Sequence, residues 1–566
     1  MRLFRKKRRV IVELDEVLLD ATNIASFNLA RLEGKRELPI SIRSIYGVGA
    51  VFVGIILLFT FKIFDLQVTQ GAEFKSIAEN NSVNQAVIIA ERGVVYDRRG
   101  ELVAWNEFDD RSVYDFPIRA YTDRLGLGQV LGYVSYPRKD TRGFYYRTEY
   151  IGRSGIESAY DNVLRGSNGT KIVVADALGD IVGEHAIGSS SSGEALHLSL
   201  DAELSEAMYQ IISTSSARAG FRSGAGAIMD VETGEIIALT SFPTYDPEVM
   251  ADGYDIATIE SYNIDDRLPF LNKVISGAYT PGSIVKPFVA YGALAEKTID
   301  PLKQITSTGE ILVPNPYNPS NPSRFTDWRA HGVMTMREAI AFSSNVYFYT
   351  IGGGFGDQKG LGITKMAQYY RLFGLGSSTG VDIAEEQLGV VPDPAWKAEV
   401  FDDDWRLGDT YFTAIGQFGF LTTPIQMLRA YSALANGGKL LTPHVLKGQQ
   451  GTSVDLNLNQ DYLKIIHEGM RMTVTLNGGT ARALERKDVA VAAKSGTAEV
   501  GAGNAYVNSW AAGFFPYEKP KYAFILMMDR APRSNALGAT RIMGDVVEWM
   551  SVHRPEYLGI VKAQEN

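Results

Sequence analysis

A long hydrophobic stretch lies near the start of the chain, where residues 44–61 include no charged side chain. A helix of these 18 residues, rising about 1.5 Å per residue, nearly crosses a hydrocarbon layer about 30 Å thick, and Lys62 can reach the edge of that layer. The alternatives are a buried helix of a soluble core and a cleaved signal peptide, but no small-residue cleavage motif follows the stretch. We therefore predict an uncleaved membrane anchor at residues 44–65.

The segment before the anchor is basic, with Arg and Lys side chains clustered between residues 2 and 9. Because Lys and Arg are retained on the cytoplasmic side, we expect residues 1–43 inside the cell and everything beyond the anchor outside. Apolar residues recur at three- and four-residue steps from Leu14 to Leu32, which predicts an amphipathic helix ending near Gly34. That helix could lie on the inner membrane surface, pack on a partner, or be solvated without a role.

Short strand patterns follow the anchor, between residues 66 and 215. The runs GVVYD and ELVAWN flank Arg98-Arg99-Gly100, and two such runs around a polar turn that contains glycine predict a β-hairpin. Few candidate nucleophiles stand out in this region. We therefore interpret residues 66–215 as a non-catalytic spacer or interaction domain, rich in β-structure.

The pattern changes from about residue 216, where the run GAGAIMDVETGEIIALTS predicts a hairpin about Glu232-Thr233-Gly234. Helix-like stretches then continue to about residue 440. Near the end, SWAAGFFPYEKPKYAFILMMD predicts two further apolar strands, and residues 540–552 a closing helix. Strands at both ends with helices between them favour an α+β domain over residues 216–566, with a mostly antiparallel sheet flanked by helices.

Composition and charge narrow the functional classes. A chain of 566 residues, 45% hydrophobic and 21% charged, fits a globular protein of two to four domains. Residues 44–566 hold 46 Lys and Arg against 59 Asp and Glu, a net charge of −13, which argues against a nucleic-acid partner. The absence of Cys excludes disulfides and thiol catalysis. No His-Glu-x-x-His spacing indicates a metal site.

The run Thr280-Pro281-Gly282-Ser283-Ile284-Val285-Lys286-Pro287 holds the first candidate chemistry. Pro-Gly predicts a turn, and a helix can begin at Ser283 with Pro287 in its first turn. Residues three apart share a helix face, so Lys286 lies where it can take the proton of Ser283. A lysine does so only if desolvation or a nearby cation lowers its pKa. Ser-x-x-Lys is common by chance, and an ordinary capped helix is the alternative.

A second polar run, Ser343-Ser344-Asn345, interrupts the apolar helical stretch AIAFSSNVYFY. No packing reason for these polar side chains is evident from the sequence. Ser343 could relay protons, and Asn345, with both a donor and an acceptor, could hold a substrate amide. A local helix cap is the alternative interpretation.

A third run, Lys494-Ser495-Gly496-Thr497, follows the strand-like VAVAA. Gly496 leaves a strand without a side chain at one point, so another backbone can lie close against it. Lys494 contributes positive charge, and the hydroxyls of Ser495 and Thr497 can bind a carboxylate. A plain edge strand is the alternative.

In this order, the three motifs together resemble the active-site signature of penicillin-binding proteins and serine β-lactamases. Ser343 lies 60 residues after Ser283, and Lys494 lies 151 residues after Ser343. The runs GVVYDRRGELVAWN and 152–157 resemble boxes of the non-catalytic pedestal in class B, monofunctional penicillin-binding proteins. The runs TDWRAHG, TGVDIAEE and AIGQFGFLTTPIQM resemble the penicillin-binding protein 2 branch, which acts in cell-wall elongation.

The resemblance implies a serine D,D-transpeptidase that works without a cofactor. Ser283 would attack the penultimate D-Ala of a peptidoglycan stem ending D-Ala-D-Ala, with Lys286 as general base. Ser343 and Lys494 would return the proton to the leaving D-Ala. An amine of a neighbouring stem would then complete the cross-link, and β-lactams would acylate the same serine.

The resemblance also implies the substrate contacts. Asn345 would orient the stem, and Lys494, Ser495, Gly496 and Thr497 would form the wall that holds its terminal carboxylate. The backbone N–H groups of Ser283 and Thr497 would form the oxyanion hole. A charged Lys494 would help to keep Lys286 neutral.

The resemblance places the protein in the bacterial cytoplasmic membrane beside a RodA-like glycosyltransferase of the shape, elongation, division and sporulation group. A division-type transpeptidase and a non-catalytic activator of such a polymerase are the alternatives, and a side carboxypeptidase activity stays open. A β-lactamase is disfavoured, since Glu385-Glu386-Gln387-Leu388-Gly389 lacks the Asn of the deacylating motif. Some relatives carry a metal near the segment of Asp327 and His331, but without a Cys we predict no metal here.

Overall fold

The computed structural model describes residues 41–71, 83–108, 114–141, 145–175, 181–315, 318, 320–383 and 386–560. They belong to two compact units, one that includes residues 41–71 and one that extends from residue 84 onward. The amphipathic helix predicted between residues 14 and 34 lies outside the described residues.

The anchor forms one long helix, α1, at Ile42–Phe64, which a π-helical turn continues over Asp65–Thr69. Helix α1 begins where the Ser41 hydroxyl accepts a hydrogen bond of 3.1 Å from the Ser44 N–H, which satisfies one of the free donors at a helix start. None of its residues is buried. The predicted helix is confirmed, and the segment Ile42–Thr69 is long and apolar enough to cross a membrane.

The pedestal region is built from short strands and three helices of about one turn. Its strands are β1 Val83–Ile88, β2 Val95–Tyr96, β3 Leu102–Glu107, β4 Ile118–Tyr121, β5 Val134–Ser135, β6 Arg138–Lys139, β7 Tyr145–Arg147, β8 Ile151–Gly152, β9 Gly169–Ala175, β10 Ile181–Gly188 and β11 Leu196–His197. Its helices are α2 Gly128–Leu131, α3 Gly155–Ala159 and α4 Asp161–Leu164. The sheet orders are β1-β9-β10 and β11-β2-β3-β4, with the pairs β5-β8 and β6-β7. Strands β2 and β3 pair antiparallel, which confirms the hairpin predicted about Arg98-Arg99-Gly100.

A buried cluster of ion pairs joins the two runs that resemble the family's pedestal boxes. Glu157 on α3 contacts Arg92, which directly precedes GVVYD, and its other carboxylate oxygen lies 2.7 Å from Arg119 Nε. The three side chains are at most 1% exposed. Arg92 also pairs with Asp161 at 2.9 Å. Glu157 therefore pairs with two guanidinium groups that have no access to water, and Asp161 adds a second carboxylate beside Arg92.

We expect Glu157→Ala to lower the free energy of unfolding by about 3–5 kcal/mol, because it leaves buried positive charge unpaired. Denaturant titration of the full-length protein in detergent measures the loss. The matched control is Glu149→Ala, which removes the exposed partner of Arg165 at 2.8 Å and should cost about 0–1 kcal/mol. Equal losses in the two variants would contradict the importance of the buried cluster.

The region from residue 202 onward alternates helices with strands. Its helices are α5 Ala202–Ala219, α6 Pro247–Asp252, α7 Ile256–Ile264, α8 Lys286–Ala295, α9 Met336–Phe342, α10 Asn345–Gly353, α11 Ile363–Leu372, α12 Pro394–Phe401, α13 Leu407–Ala414, α14 Pro424–Ala435, α15 Gln460–Thr475 and α16 Ala539–His553. Its strands are β12 Ser223–Asp230, β13 Ile236–Phe242, β14 Ile305–Ser307, β15 Glu310–Val313, β16 Ser323–Thr326, β17 Gly332–Met334, β18 Lys439–Leu441, β19 Ser453–Asp455, β20 Ala492–Val500, β21 Tyr506–Phe515 and β22 Tyr522–Pro532.

The central feature of this region is an antiparallel five-stranded sheet of order β13-β12-β22-β21-β20. Side chains of successive strand residues point to opposite faces, and both faces are covered. One face packs on α5 and α16, and the other packs on helices that include α14. Both predicted hairpins and the closing helix are confirmed, as is the α+β class. The division between residues 215 and 216 stays a prediction, and α5 runs across it.

Candidate active site

Ser283 lies in a tight turn that leads into α8. Residues Gly282–Val285 form one turn of 3₁₀ helix, and the α-helix proper begins at Lys286. The sequence predicted a helix from Ser283 itself. Pro287 explains the difference, because it has no N–H to donate to the Ser283 carbonyl, which accepts instead from the Lys286 N–H in the tighter 3₁₀ pattern. Pro287 lies in the first turn of α8, as predicted.

The edge strand β20 lies directly against this turn because glycines face each other across the contact. Gly282 has a left-handed φ of +58°, and a Cβ there would lie 2.6 Å from the Thr497 carbonyl oxygen. A Cβ on Gly496 would lie 2.8 Å from Ile284 Cγ2 and 2.9 Å from the Pro281 carbonyl oxygen. The prediction that Gly496 admits a neighbouring backbone is confirmed, and that backbone belongs to the Ser283 turn.

Ser343 is where the three motifs meet. Its hydroxyl accepts a hydrogen bond of 2.9 Å from Lys494 Nζ and a longer one of 3.3 Å from Lys286 Nζ. Lys286 Nζ also donates to the Ser343 carbonyl at 2.7 Å and to Asn345 Oδ1 at 2.8 Å. Ser343 has a left-handed φ of 57° at the end of α9, which is uncommon for a residue with a side chain and is typical of functional sites.

The two lysines are wholly buried, and this decides their charge. Burial lowers the pKa of Lys286 to about 7, against the pull of Asp327 toward the protonated form. Burial also holds the pKa of Lys494 well below its usual value, and the nearby Lys286 lowers it further. The sequence hypothesis named the charge of Lys494 as a reason for a neutral Lys286. The structure gives burial as the cause of the lowered pKa of Lys286, and Lys286 is instead the nearby charge that lowers the pKa of Lys494.

Asp327 organises the site, although no catalytic part was predicted for it from the sequence. Its Oδ2 accepts hydrogen bonds from the Ser344 hydroxyl at 2.7 Å and from the Val346 N–H at 3.0 Å. It therefore caps the start of α10, which carries Asn345. Burial alone would raise the pKa of Asp327, but these hydrogen bonds and the charge of Lys286 hold it below its usual value. The signal in the sequence is the segment TDWRAHG, whose interpretation as a branch marker and as a possible metal segment gives Asp327 no part in catalysis.

The segment of Asp327 and His331 was also weighed as a metal site. His331 Nε2 lies 3.5 Å from Asp327 Oδ1. Within the part of the chain that the structure describes, no group of three His, Asp or Glu side chains could hold a metal ion. The absence of a metal stays a prediction.

In the third motif the Lys494 side chain faces the interior, whereas the hydroxyls of Ser495 and Thr497 face the cleft. Lys494 Nζ donates to Ser343 and to the Ser495 carbonyl at 2.9 Å, and its side chain has no exposed surface. The Ser495 hydroxyl donates to Thr480 Oγ1 at 2.6 Å, and the Thr497 side chain is exposed. Lys494 is therefore placed to act on Ser343, and the hydroxyls are placed to meet a ligand. Thr480 was not identified from the sequence.

These residues line one cleft with a volume of about 810 Å³. Its polar wall includes Ser283, Ser343, Asn345 and the segment 495–497. The Ser283 hydroxyl makes no hydrogen bond to any described residue, so a ligand in the cleft meets a free hydroxyl. Aromatic side chains form much of the remaining wall: Trp328, Tyr349, Phe412, Phe418 and Trp510.

Comparison with known protein families agrees with this architecture. A family model described as the penicillin binding protein transpeptidase domain matches residues 224–548, and one described as the penicillin-binding protein dimerisation domain matches residues 111–198. The first range contains all three motifs. The second lies within the predicted pedestal.

One curated relative is the peptidoglycan D,D-transpeptidase MrdA of Acinetobacter baumannii, 31% identical over 66% of this chain. The aligned part spans 55% of that relative's length.

Two solved structures extend the likeness to the three-dimensional level. A complex between penicillin-binding protein 2 and MreC from Helicobacter pylori matches with a TM-score of 0.69 and 27% identity, covering 84% of this chain and 99% of that chain. A structure of a peptidoglycan synthase complex that coordinates polymerisation and crosslinking matches with a TM-score of 0.69 and 25% identity, covering 92% of this chain and 100% of that chain. The chain therefore belongs to the penicillin-binding protein transpeptidase family and within it is similar to the penicillin-binding protein 2 branch.

Proposed function

We propose that this protein is a peptidoglycan D,D-transpeptidase that cross-links stem peptides through an acyl-enzyme on Ser283. The observation that carries the proposal is the convergence of Lys286, Ser343, Asn345 and Lys494 in one hydrogen-bonded group beside that serine. A general base needs a pKa near the working pH, and burial lowers the pKa of Lys286 to about 7. The likeness to D,D-transpeptidase MrdA supports the same activity.

In the first step, neutral Lys286 takes the proton of Ser283 while the serine oxygen attacks the penultimate D-Ala carbonyl. A neutral lysine has two N–H donors, and the two short contacts to the Ser343 carbonyl and Asn345 can keep both. The lone pair of Lys286 is then available to the nucleophile. The backbone N–H groups of Ser283 and Thr497 stabilise the oxyanion, a kind of contact whose loss costs about 3 kcal/mol in other enzymes.

In the second half of acylation the carbon–nitrogen bond breaks, and the leaving D-Ala needs a proton. Neutral Lys286 has one N–H fewer than its protonated form. The hydrogen bond that it then loses is the longest one, to the Ser343 hydroxyl. Having taken the proton of Ser283, Lys286 is protonated at this stage and can donate to the Ser343 hydroxyl again, so Ser343 passes a proton to the leaving amine, recovers one from Lys286 and leaves that lysine neutral. Lys494, which donates to the Ser343 oxygen at 2.9 Å, holds that hydroxyl in place. The hydroxyls of Ser495 and Thr497 bind the terminal carboxylate, and the Asn345 amide nitrogen donates to the stem. β-Lactams acylate Ser283 in the same way.

The activity is tested with full-length protein in detergent and uncross-linked glycan strands that carry stems ending D-Ala-D-Ala. Mass spectrometry should find peptide dimers and free D-Ala in equal amounts, and a β-lactam should block both. Release of D-Ala without dimers would show a carboxypeptidase instead. Absence of both products would overturn the proposal.

We expect the rate of acylation by a fluorescent penicillin to rise with pH through about pH 7 and then to level off. The base form of Lys286 is the neutral form, and its pKa is lowered to about 7, so the active fraction falls about tenfold for each pH unit below that value. Second-order rate constants between pH 5 and 9 provide the measurement. A flat profile over this range would show that Lys286 is not the base.

We further propose that the protein works in cell-wall elongation, anchored in the cytoplasmic membrane by α1 with its N-terminus inside. The catalytic region then lies outside the cytoplasm, beside a RodA-like glycosyltransferase. What supports this setting is the likeness to penicillin-binding protein 2 in complex with MreC and to a chain of a synthase complex. Depletion should widen the cells, whereas filamentous cells would assign the protein to division.

Catalysis and scaffolding can be separated in the same cells. Ser283→Ala should still co-purify with the polymerase but fail to support growth. Growth of that variant would show that activating the polymerase is the essential role.

A further inference from the structure

A second cavity, with a volume of about 550 Å³, adjoins the catalytic cleft. Gln417, Phe418, Glu499 and Asn504 line both spaces, so a molecule that extends from one can enter the other. None of the residues assigned to acylation lines the second cavity. A transferase must also bind the acceptor, its second substrate. The contacts assigned so far all bind the donor stem that acylates Ser283.

Two arginines of this cavity are available to a ligand. The guanidinium groups of Arg222 and Arg530 make no hydrogen bond to any described residue, and their nearest carboxylates, on Asp266 and Asp529, lie 4.0 Å away. Burial raises the pKa of Asp529, against the nearby charges of Arg530, Arg222 and Lys273. Ser223 of β12 pairs with Asp529 of β22, so the backbone of Arg222, which directly precedes β12, lies next to that of Arg530, and both side chains line the cavity. Neighbouring guanidinium groups suit a carboxylate, which each can bind through two N–H groups.

The other charged side chains of the cavity are already paired or buried. Arg267 pairs with Asp265 at 2.6 Å, and Glu499 pairs with Arg533 at 2.7 Å. Lys273 is 1% exposed, and burial lowers its pKa to about 7. The charge that the cavity offers to a ligand is therefore positive and comes from Arg222 and Arg530.

The backbone around the cavity is unusually strained. Among the described residues, eight other than glycine have a positive φ. Four of them line this cavity: Leu268 at 57°, Phe418 at 61°, Asn504 at 56° and Arg530 at 51°. Left-handed backbone costs on the order of 1–2 kcal/mol for a residue with a side chain, and such residues concentrate at ligand sites. Phe418 and Asn504 also form the junction with the catalytic cleft.

We propose that this cavity is the acceptor subsite, in which Arg222 and Arg530 bind a carboxylate of the peptide whose amine attacks the acyl-enzyme. The inference rests on the proposed transpeptidase function and adds the location of its second substrate. The acceptor nitrogen forms a bond to the acyl carbon, the ester bond to the Ser283 oxygen breaks, and the amine proton passes by way of Lys286 to that oxygen. Water performs the same displacement when the subsite is empty, and the product is then a free acid.

The test uses the full-length double variant Arg222→Gln/Arg530→Gln. Its matched control is Arg218→Gln, which changes an exposed arginine at the end of α5 that lines neither space. A D-alanyl thioester peptide provides the acyl group. The acceptor probes are γ-D-glutamyl-meso-diaminopimelic acid and the same dipeptide with its carboxylates converted to carboxamides. Mass spectrometry measures the ratio of aminolysis to hydrolysis as a function of acceptor concentration.

We expect the double variant to lower this ratio at least tenfold for the carboxylate probe, through a higher KM for the acceptor. The rate of penicillin acylation by the double variant should stay within twofold of the wild-type rate, and Arg218→Gln should leave the ratio of aminolysis to hydrolysis unchanged. With the carboxamide probe, the ratio should be equally low for the wild type and the double variant. Equal ratios for wild type and double variant would overturn the acceptor subsite, as would absence of aminolysis by a wild type that penicillin labels. Failure of penicillin to label the wild type would overturn the proposed function itself.

Discussion

Ser283→Ala should abolish covalent labelling by a fluorescent penicillin. Replacing a serine nucleophile lowers turnover by about 10⁶-fold in the best-measured case, and in this cleft no second hydroxyl of the described residues shares the position of Ser283 on the 3₁₀ turn. Ser343 and Thr497 also line the cleft, but Ser343 is engaged with two lysines. Labelling of full-length protein followed by denaturing electrophoresis provides the measurement.

The control for this experiment is Ser261→Ala, which changes an exposed serine on α7 and should label like the wild type. The Ser283→Ala variant should unfold at the wild-type temperature, because the Ser283 hydroxyl makes no hydrogen bond to the described residues. Label retained by Ser283→Ala at the wild-type rate would show that another residue is acylated. That result would refute the central assignment.

Lys286→Met should lower the rate of penicillin acylation by about 10²–10⁴-fold, the usual contribution of a general base. The substitution keeps the length of the side chain and removes the amine that accepts the Ser283 proton. The acylation rate that remains should no longer rise with pH through about pH 7. Lys303→Met, at a side chain that is 40% exposed, is the matched control and should change neither rate nor pH profile.

Stability gives a second readout for Lys286. Its pKa is lower in the folded state than the usual value of 10.5, so the unfolded chain binds more protons between about pH 7 and pH 10.5. The free energy of unfolding therefore rises with pH across this window by the contribution of this residue. Lys286→Met should remove that part of the slope. An unchanged slope would contradict the lowered pKa, and an acylation rate within tenfold of wild type would move the role of base to Lys494.

The sequence was sufficient for features that depend on local pattern. The anchor, the hairpins around Arg98-Arg99-Gly100 and Glu232-Thr233-Gly234, and the closing helix follow from hydrophobic period and turn residues, which neighbours in the chain determine. The three motifs follow from spacing and resemblance, and their catalytic roles are proposals. Their convergence on the Ser343 hydroxyl is a property of the fold that spacing alone does not contain.

The remaining features depend on contacts between distant parts of the chain. Asp327 acquires its place by capping a helix that starts 18 residues later. The charge states of Lys286 and Lys494 depend on complete burial, which no local pattern indicates. Arg222 and Arg530 become neighbours only through the register of β12 with β22. Each case required a tertiary contact that a single sequence does not specify.

The left-handed backbone of Ser343 has a consequence for adaptation and engineering. Glycine would adopt this conformation without the strain, and relieving it would gain about 1 kcal/mol of stability. Glycine would also remove the hydroxyl that joins the two buried lysines. Selection for heat resistance alone would favour Ser343→Gly, whereas selection for cell-wall synthesis retains serine. A thermostabilised derivative of this enzyme should therefore keep serine at position 343, although glycine would relieve the strain of its backbone.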